Sequence, residues 1–172
     1  MIIKYVKLRY VGIIVAAVCV VLDAWSKWVA EAHLTLGNPI AVIDGLFNWR
    51  LAYNRGVSFS MMGNVSLESL PEILAVFALV MGVFFVHWMG KHKDRLPFVL
   101  GLGFIAGGAI GNGIDRLLRD AVVDFLDFYY DKWHFPTFNV ADIAISLGVI
   151  CILIDAYLET MSSGNEKEKN NA

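Results

Sequence analysis

The residues that ask for a chemical reason are a few carboxylates and amides set at the ends of long apolar runs. Asp23 and Lys27 share a helix face at i,i+4 spacing, and Asn112, Asp115 and Arg116 repeat the pattern at i,i+3,i+4. Asn139 and Asp142 stand at the head of a further apolar run, where an Asn suits an N-cap and an Asp suits the positive helix end. Ion pairing or capping is a sufficient explanation for each of these clusters. Asp124, in Ala121-Val122-Val123-Asp124-Phe125, has no such explanation, because it lies in an apolar run with no local basic partner.

Other chemistries find little support. His33, His87, His92 and His134 are scattered, no H-E-x-x-H occurs, and there is no Gly-rich phosphate loop. Cys19 and Cys151 each sit inside an apolar stretch, where cysteine packs as a small hydrophobe. Neither a metal nor a cofactor is expected. What remains is the carboxylates. Two aspartates in close contact cannot both ionise, so they share a proton, and one serves as base while the other serves as acid. Such a pair activates water directly against a peptide carbonyl.

The elements that must position these groups are those of a membrane protein. Of the 172 residues 58% are hydrophobic and only 17% charged, with a mean hydropathy of +0.60. Soluble domains run nearer a quarter charged. A net charge of −2 offers no basic stripe for nucleic acid. Four stretches, at about 10–28, 70–89, 96–114 and 140–158, are long and apolar enough to cross a bilayer. The fold expected is therefore an all-α polytopic membrane protein in one domain, 1–172, with a small extracytoplasmic β-sheet.

That sheet is read from residues 47–54, where Phe47, Trp49, Leu51 and Tyr53 alternate with Asn48, Arg50, Ala52 and Asn54. Asn54-Arg55-Gly56 reads as a turn, with Val57 and Phe59 resuming the alternation as a hairpin partner. Gly103, Gly107 and Gly111 recur every four residues and suit close helix packing in lipid. The polar tail 162–172 shows no apolar periodicity and is expected to be disordered. The first span also resembles a secretory signal peptide, but three later spans, and Asp23 and Lys27 within it, favour a retained helix.

Basic residues set the orientation. Lys4, Lys7, Arg9, Lys91, Lys93, Arg95, Lys167 and Lys169 fall on one side, against Lys27, Arg50, Arg55, Arg116, Arg119 and Lys132 on the other. Both termini are thereby placed in the cytoplasm, with outer loops at 29–69 and 115–139. With four spans, the end of the first, the end of the third and the start of the fourth meet on one membrane face. Asn54 joins them there. Asp155, about 20 Å along the last helix from Asp142, belongs near the opposite surface.

Five blocks carry a family resemblance: Asp23-Ala24-Trp25-Ser26-Lys27, Tyr53-Asn54-Arg55-Gly56, Gly111-Asn112-Gly113-Ile114-Asp115-Arg116, Val122-Val123-Asp124-Phe125 and Phe138-Asn139-Val140-Ala141-Asp142. In this order, on four spans, they resemble the lipoprotein signal peptidases, or signal peptidase II family. The resemblance implies a bacterial inner-membrane aspartyl peptidase that cuts prolipoproteins just before a diacylglyceryl-modified cysteine. It implies a catalytic pair at Asp124 and Asp142. Substrate-binding polar residues fall at Asn54, Asn112, Arg116 and Asn139, with Asp23, Lys27 and Asp115 in structural support. Partners would be lipidated prolipoproteins and membrane lipid, with no nucleic acid, and a monomer is expected. One departure is Arg119-Asp120-Ala121, where a glycine is expected before Val122. A transporter is the rival class, but it calls for polar residues distributed through the membrane rather than gathered at one end.

Overall fold

A computed structural model describes residues 2–56, 69–91 and 95–171. Its four long helices are α1 (Ile2–His33), α2 (Leu70–Met89), α3 (Leu96–Arg119) and α4 (Val140–Asn171). All four are long and apolar enough to cross a membrane, as expected. A small antiparallel sheet joins them, in the order β1 (Ile40–Ile43), β2 (Phe47–Asn54), β3 (Val122–Tyr130) and β4 (Trp133–His134).

Helix α3 is the hub, packing against α1, α2 and α4. Its glycines are the reason. A Cβ on Gly107 would lie 2.7 Å from the Ala16 carbonyl oxygen, so α1 crosses on bare backbone there. One turn on, a Cβ at Gly111 would lie 2.6 Å from Asp23 Oδ2, so this glycine makes room for a carboxylate. The outward faces of the other helices carry Val18, Val21, Phe77, Val80, Leu153 and Ile154, all exposed, as lipid-facing surfaces require.

Two helix ends run past the sequence reading. Helix α3 runs past 114 to Arg119 and stops only at Asp120, which takes a left-handed conformation (φ 54°) as its C-cap. Aspartate tolerates that region better than most residues, so it fills the place where a glycine was expected. Helix α4 continues through the tail expected to be disordered, as far as Asn171. Extending a formed helix costs far less than starting one, and Glu166, Lys167, Glu168 and Lys169 are good helix formers. The partners of β2 are β1 and β3. The hairpin partner expected at Val57 and Phe59 lies outside the described residues.

Beside β2 the sheet contains three strands that the sequence reading left as loop: β1, β3 and β4. Asp131 and Lys132 form a two-residue turn between Tyr130 and Trp133, with Asp131 at φ 53°. At the other end of the bundle, Arg95 precedes α3 and pairs with Asp155 and, at 2.7 Å, with Glu159. Asp155 is thus buried but neutralised, a helix length away from the sheet, as its position along α4 requires.

Candidate active site

Sheet and helix ends meet around Asp124. Strand β3 carries it at the register position facing Ala52 of β2. Next to it the ladder is irregular: the N–H groups of Phe125 and Leu126 both donate to the Phe138 carbonyl, at 3.1 and 2.9 Å. The β2–β3 register shifts at the same place, between Trp49 and Ala52. The extra residue lies in β2, where three steps from Trp49 to Ala52 oppose two from Leu126 to Asp124. Asp124 lines a cleft of about 620 Å³ with Arg50, Ala52, Asn54, Arg55 and His134, while its neighbour Phe125, on the opposite face of the strand, lines an apolar hollow with Trp25 and Trp49.

Asn139 is the N-cap expected from the sequence, and it does more. Its side-chain oxygen accepts from the Asp142 N–H at 3.1 Å, while Asp142 Oδ2 accepts from the Asn139 N–H at 3.1 Å. This is a reciprocal capping box. The Asn139 amide also donates to Asp124 Oδ1 at 2.7 Å and to Asn112 Oδ1 at 3.1 Å. Asn112 in turn donates to Asp142 Oδ1 at 2.9 Å. Asn54 donates to the other oxygen of Asp124 at 3.2 Å. Asp124 and Asp142, eighteen positions apart in the chain, are therefore held by one amide network.

Beneath that network lies a buried charge cluster. Lys27, only 1% exposed, donates to Asp23 Oδ2 at 2.6 Å and to Asn112 Oδ1 at 2.9 Å, and pairs with Asp115 Oδ2 at 2.8 Å. Asp23 caps α4 from a distance, accepting the Ala141 N–H at 2.9 Å, and Asp115 accepts the Val123 N–H at 3.2 Å. Each carboxylate thus ties a helix to the element that carries one of the paired aspartates. The i,i+4 pairing read for Asp23 and Lys27 is present. Asp115, in contrast, pairs with Arg119 at 2.9 Å as well as with Lys27, whereas Arg116 contacts the Asn112 carbonyl at 3.4 Å. Arg116 Nε is buried without a hydrogen-bond partner among the described residues.

Electrostatics sets Asp124 apart. Burial and then the neighbouring Asp142 charge push its carboxyl up to about 7, against the opposing pull of the Asn54 and Asn139 hydrogen bonds and of Lys27. A carboxyl that is half protonated near neutrality can give or take a proton there. Among the described residues no group of His, Cys, Asp and Glu is arranged to hold a metal ion.

The sequence reading missed two groups. Asp127, fully buried, accepts from Asn48 at 3.1 Å and holds His134 Nδ1 at 2.8 Å, and the His134 ring stacks on Tyr129. Glu31 and Arg119 form the second, at 2.8 Å. The hairpin turn at Asp131-Lys132, between aromatic pairs, was the available signal for the first. Nothing local marks the second, because its partners lie 88 positions apart.

Comparison with known proteins agrees with this architecture. The family model for "Signal peptidase (SPase) II" matches residues 15–158. A lipoprotein signal peptidase of Acinetobacter baumannii is 42% identical over 159 residues, covering 87% of this chain and 84% of the relative. One from Coxiella burnetii is 39% identical over 146 residues, covering 83% and 87%. A solved bacterial membrane enzyme superposes with a TM-score of 0.72 at 28% identity, over 84% of this chain and 90% of that one.

Proposed function

The chain belongs to the signal peptidase II family of aspartic peptidases, and we propose that it removes signal peptides from prolipoproteins using Asp124 and Asp142 as its catalytic pair. The observation that carries this reading is the shared amide network, which ties Asp142 to Asp124 at the edge of the cleft while leaving Asp124 with a pKa near neutrality. Asp142 takes a proton from water as the water oxygen bonds to the scissile carbonyl carbon. Protonated Asp124 gives its proton to the carbonyl oxygen. Collapse of that adduct returns a proton to the peptide nitrogen, and the C–N bond breaks.

Asn54 and Arg116 are the donors for the substrate backbone or the developing oxyanion, and the unspent Arg116 Nε–H supports that role. Asn112 and Asn139 position the carboxylates. Lys27, Asp23 and Asp115 hold the helix ends beneath them. The cut falls before a diacylglyceryl-modified cysteine, whose acyl chains stay in the bilayer and add about 0.8 kcal/mol per buried CH₂. The protein resides in the bacterial inner membrane with both termini cytoplasmic, which puts the sheet and the cleft on the outer face. Incubating the purified protein with a lipidated prolipoprotein tests the assignment. The mature product should begin at the lipidated cysteine, and an intact substrate or a cut elsewhere overturns it.

A further inference from the structure

Resting on that reading, we propose that Arg50 and Arg55 form a second subsite in the cleft, which binds an acidic side chain of the substrate on the mature side of the cut. Of the described residues lining the cleft only Asp124 is acidic, while two guanidinium groups, Arg50 and Arg55, are exposed there. Neither has an ion-pair partner among the described residues. Two other arginines are paired with carboxylates, Arg95 with Asp155 and Glu159 and Arg119 with Glu31 and Asp115, while Arg116 is half-buried and donates to the Asn112 carbonyl. The cleft therefore carries unspent positive charge beside Asp124, one of the two carboxyls of the proposed pair.

The location decides which part of the substrate meets it. A signal peptide is apolar and stays among the membrane spans. The cleft is built from β2, β3 and the segment 134–137, beyond the ends of the helices, so it receives the polar chain that follows the lipidated cysteine. Its wall is firm on one side. His134 is tied to the buried Asp127, itself held by Asn48, and lies flat on Tyr129. A chain entering the cleft past this wall runs alongside the Arg50 and Arg55 guanidinium groups.

The test uses lipidated peptides identical except for one Asp, Asn or Lys moved through the first four positions after the lipidated cysteine. At one position or more, kcat/KM for Asp should exceed that for Asn by about threefold to tenfold, the scale of one or two exposed arginine–carboxylate contacts. Lys should fall below Asn there. The double variant Arg50→Glu, Arg55→Glu should reverse the order, preferring Lys. Raising the salt to roughly 0.5 M should shrink the wild-type preference toward one, since exposed charges are screened.

No discrimination by the wild type at any position overturns the inference, as does an acidic preference that survives charge reversal. Should the double variant fail to fold, the wild type decides alone, and a preference undiminished at high salt counts against the subsite. Cleavage without discrimination removes this inference only. No cleavage of any peptide removes the peptidase reading and this inference together.

Discussion

Asn139 and Asp142 cap one another across the first turn of α4, each backbone N–H donating to the other's side chain at 3.1 Å. The same Asn139 amide reaches Asp124 at 2.7 Å. One residue thus joins helix initiation to the positioning of both carboxylates, and the two roles can be separated. Asn139→Ser keeps a capping oxygen of nearly equal quality but loses the amide donor. It should fold with little loss of stability and turn over poorly. Asn139→Ala should lose both, with a further cost of about 1 kcal/mol from the cap. Equal turnover in wild type and Asn139→Ser, measured on one lipidated substrate, would show that the amide serves the helix alone.

Lys27 neutralises two buried carboxylates at once. Lys27→Met should leave Asp23 and Asp115 without their common counter-ion, at a cost of about 3–5 kcal/mol, the scale for breaking a buried pair. Neutralising the partners as well, with Asp23→Asn and Asp115→Asn, should recover part of that loss. Thermal melts in detergent decide it. A single variant as stable as the wild type would mean that the cluster is not buried as described.

The raised pKa of Asp124 makes stability depend on pH with a definite sign. Its carboxyl binds the proton more tightly folded, at about 7, than in the unfolded chain, where it has the ordinary aspartate value of 3.8. The stabilisation is therefore whole below about pH 4 and is lost as pH rises through about 7. Asp124→Asn is neutral throughout and escapes that loss. The melting temperature of the variant minus that of the wild type should grow between about pH 5 and about pH 8.5. A difference that stays flat would place the ionisation of Asp124 outside this window.

Orientation is open to chemical labelling. Lys132→Cys, in the turn between β3 and β4, should react with an impermeant maleimide in intact cells, and Lys91→Cys, just past α2, should react only after lysis. The reverse pattern would invert the topology and move the cleft to the cytoplasmic side.

Much of this was legible in the sequence for physical reasons. Helix spans are announced by unbroken apolar length, and the Asp23–Lys27 pair by its spacing. Topology alone brings Asp124, Asp142, Asn54 and Asn112 to one membrane face. What stayed hidden depended on irregular backbone. Plain alternation cannot foresee the extra residue in β2 between Trp49 and Ala52, or the paired N–H groups of Phe125 and Leu126 on the Phe138 carbonyl. The choice of Arg119 over Arg116 as partner of Asp115 follows from α3 running one turn longer than its apolar stretch, which lets Arg119 reach both Asp115 and Glu31.

Turnover of one lipidated prolipoprotein by purified wild type, Asp124→Asn, Asp142→Asn and the double variant, with melting temperatures alongside, tests the paired-aspartate account most directly. Asparagine preserves size, and at Asp142 it preserves capping, but it cannot exchange a proton as acid and base. Each single variant should remain folded and lose more than about a thousandfold in rate, at least about 4 kcal/mol of barrier. The double variant should be scarcely worse than either single one, because groups that act as a unit are not additive. Either single variant retaining about a tenth of the wild-type rate, a barrier change of only about 1.4 kcal/mol, would remove that residue from the pair and contradict the account.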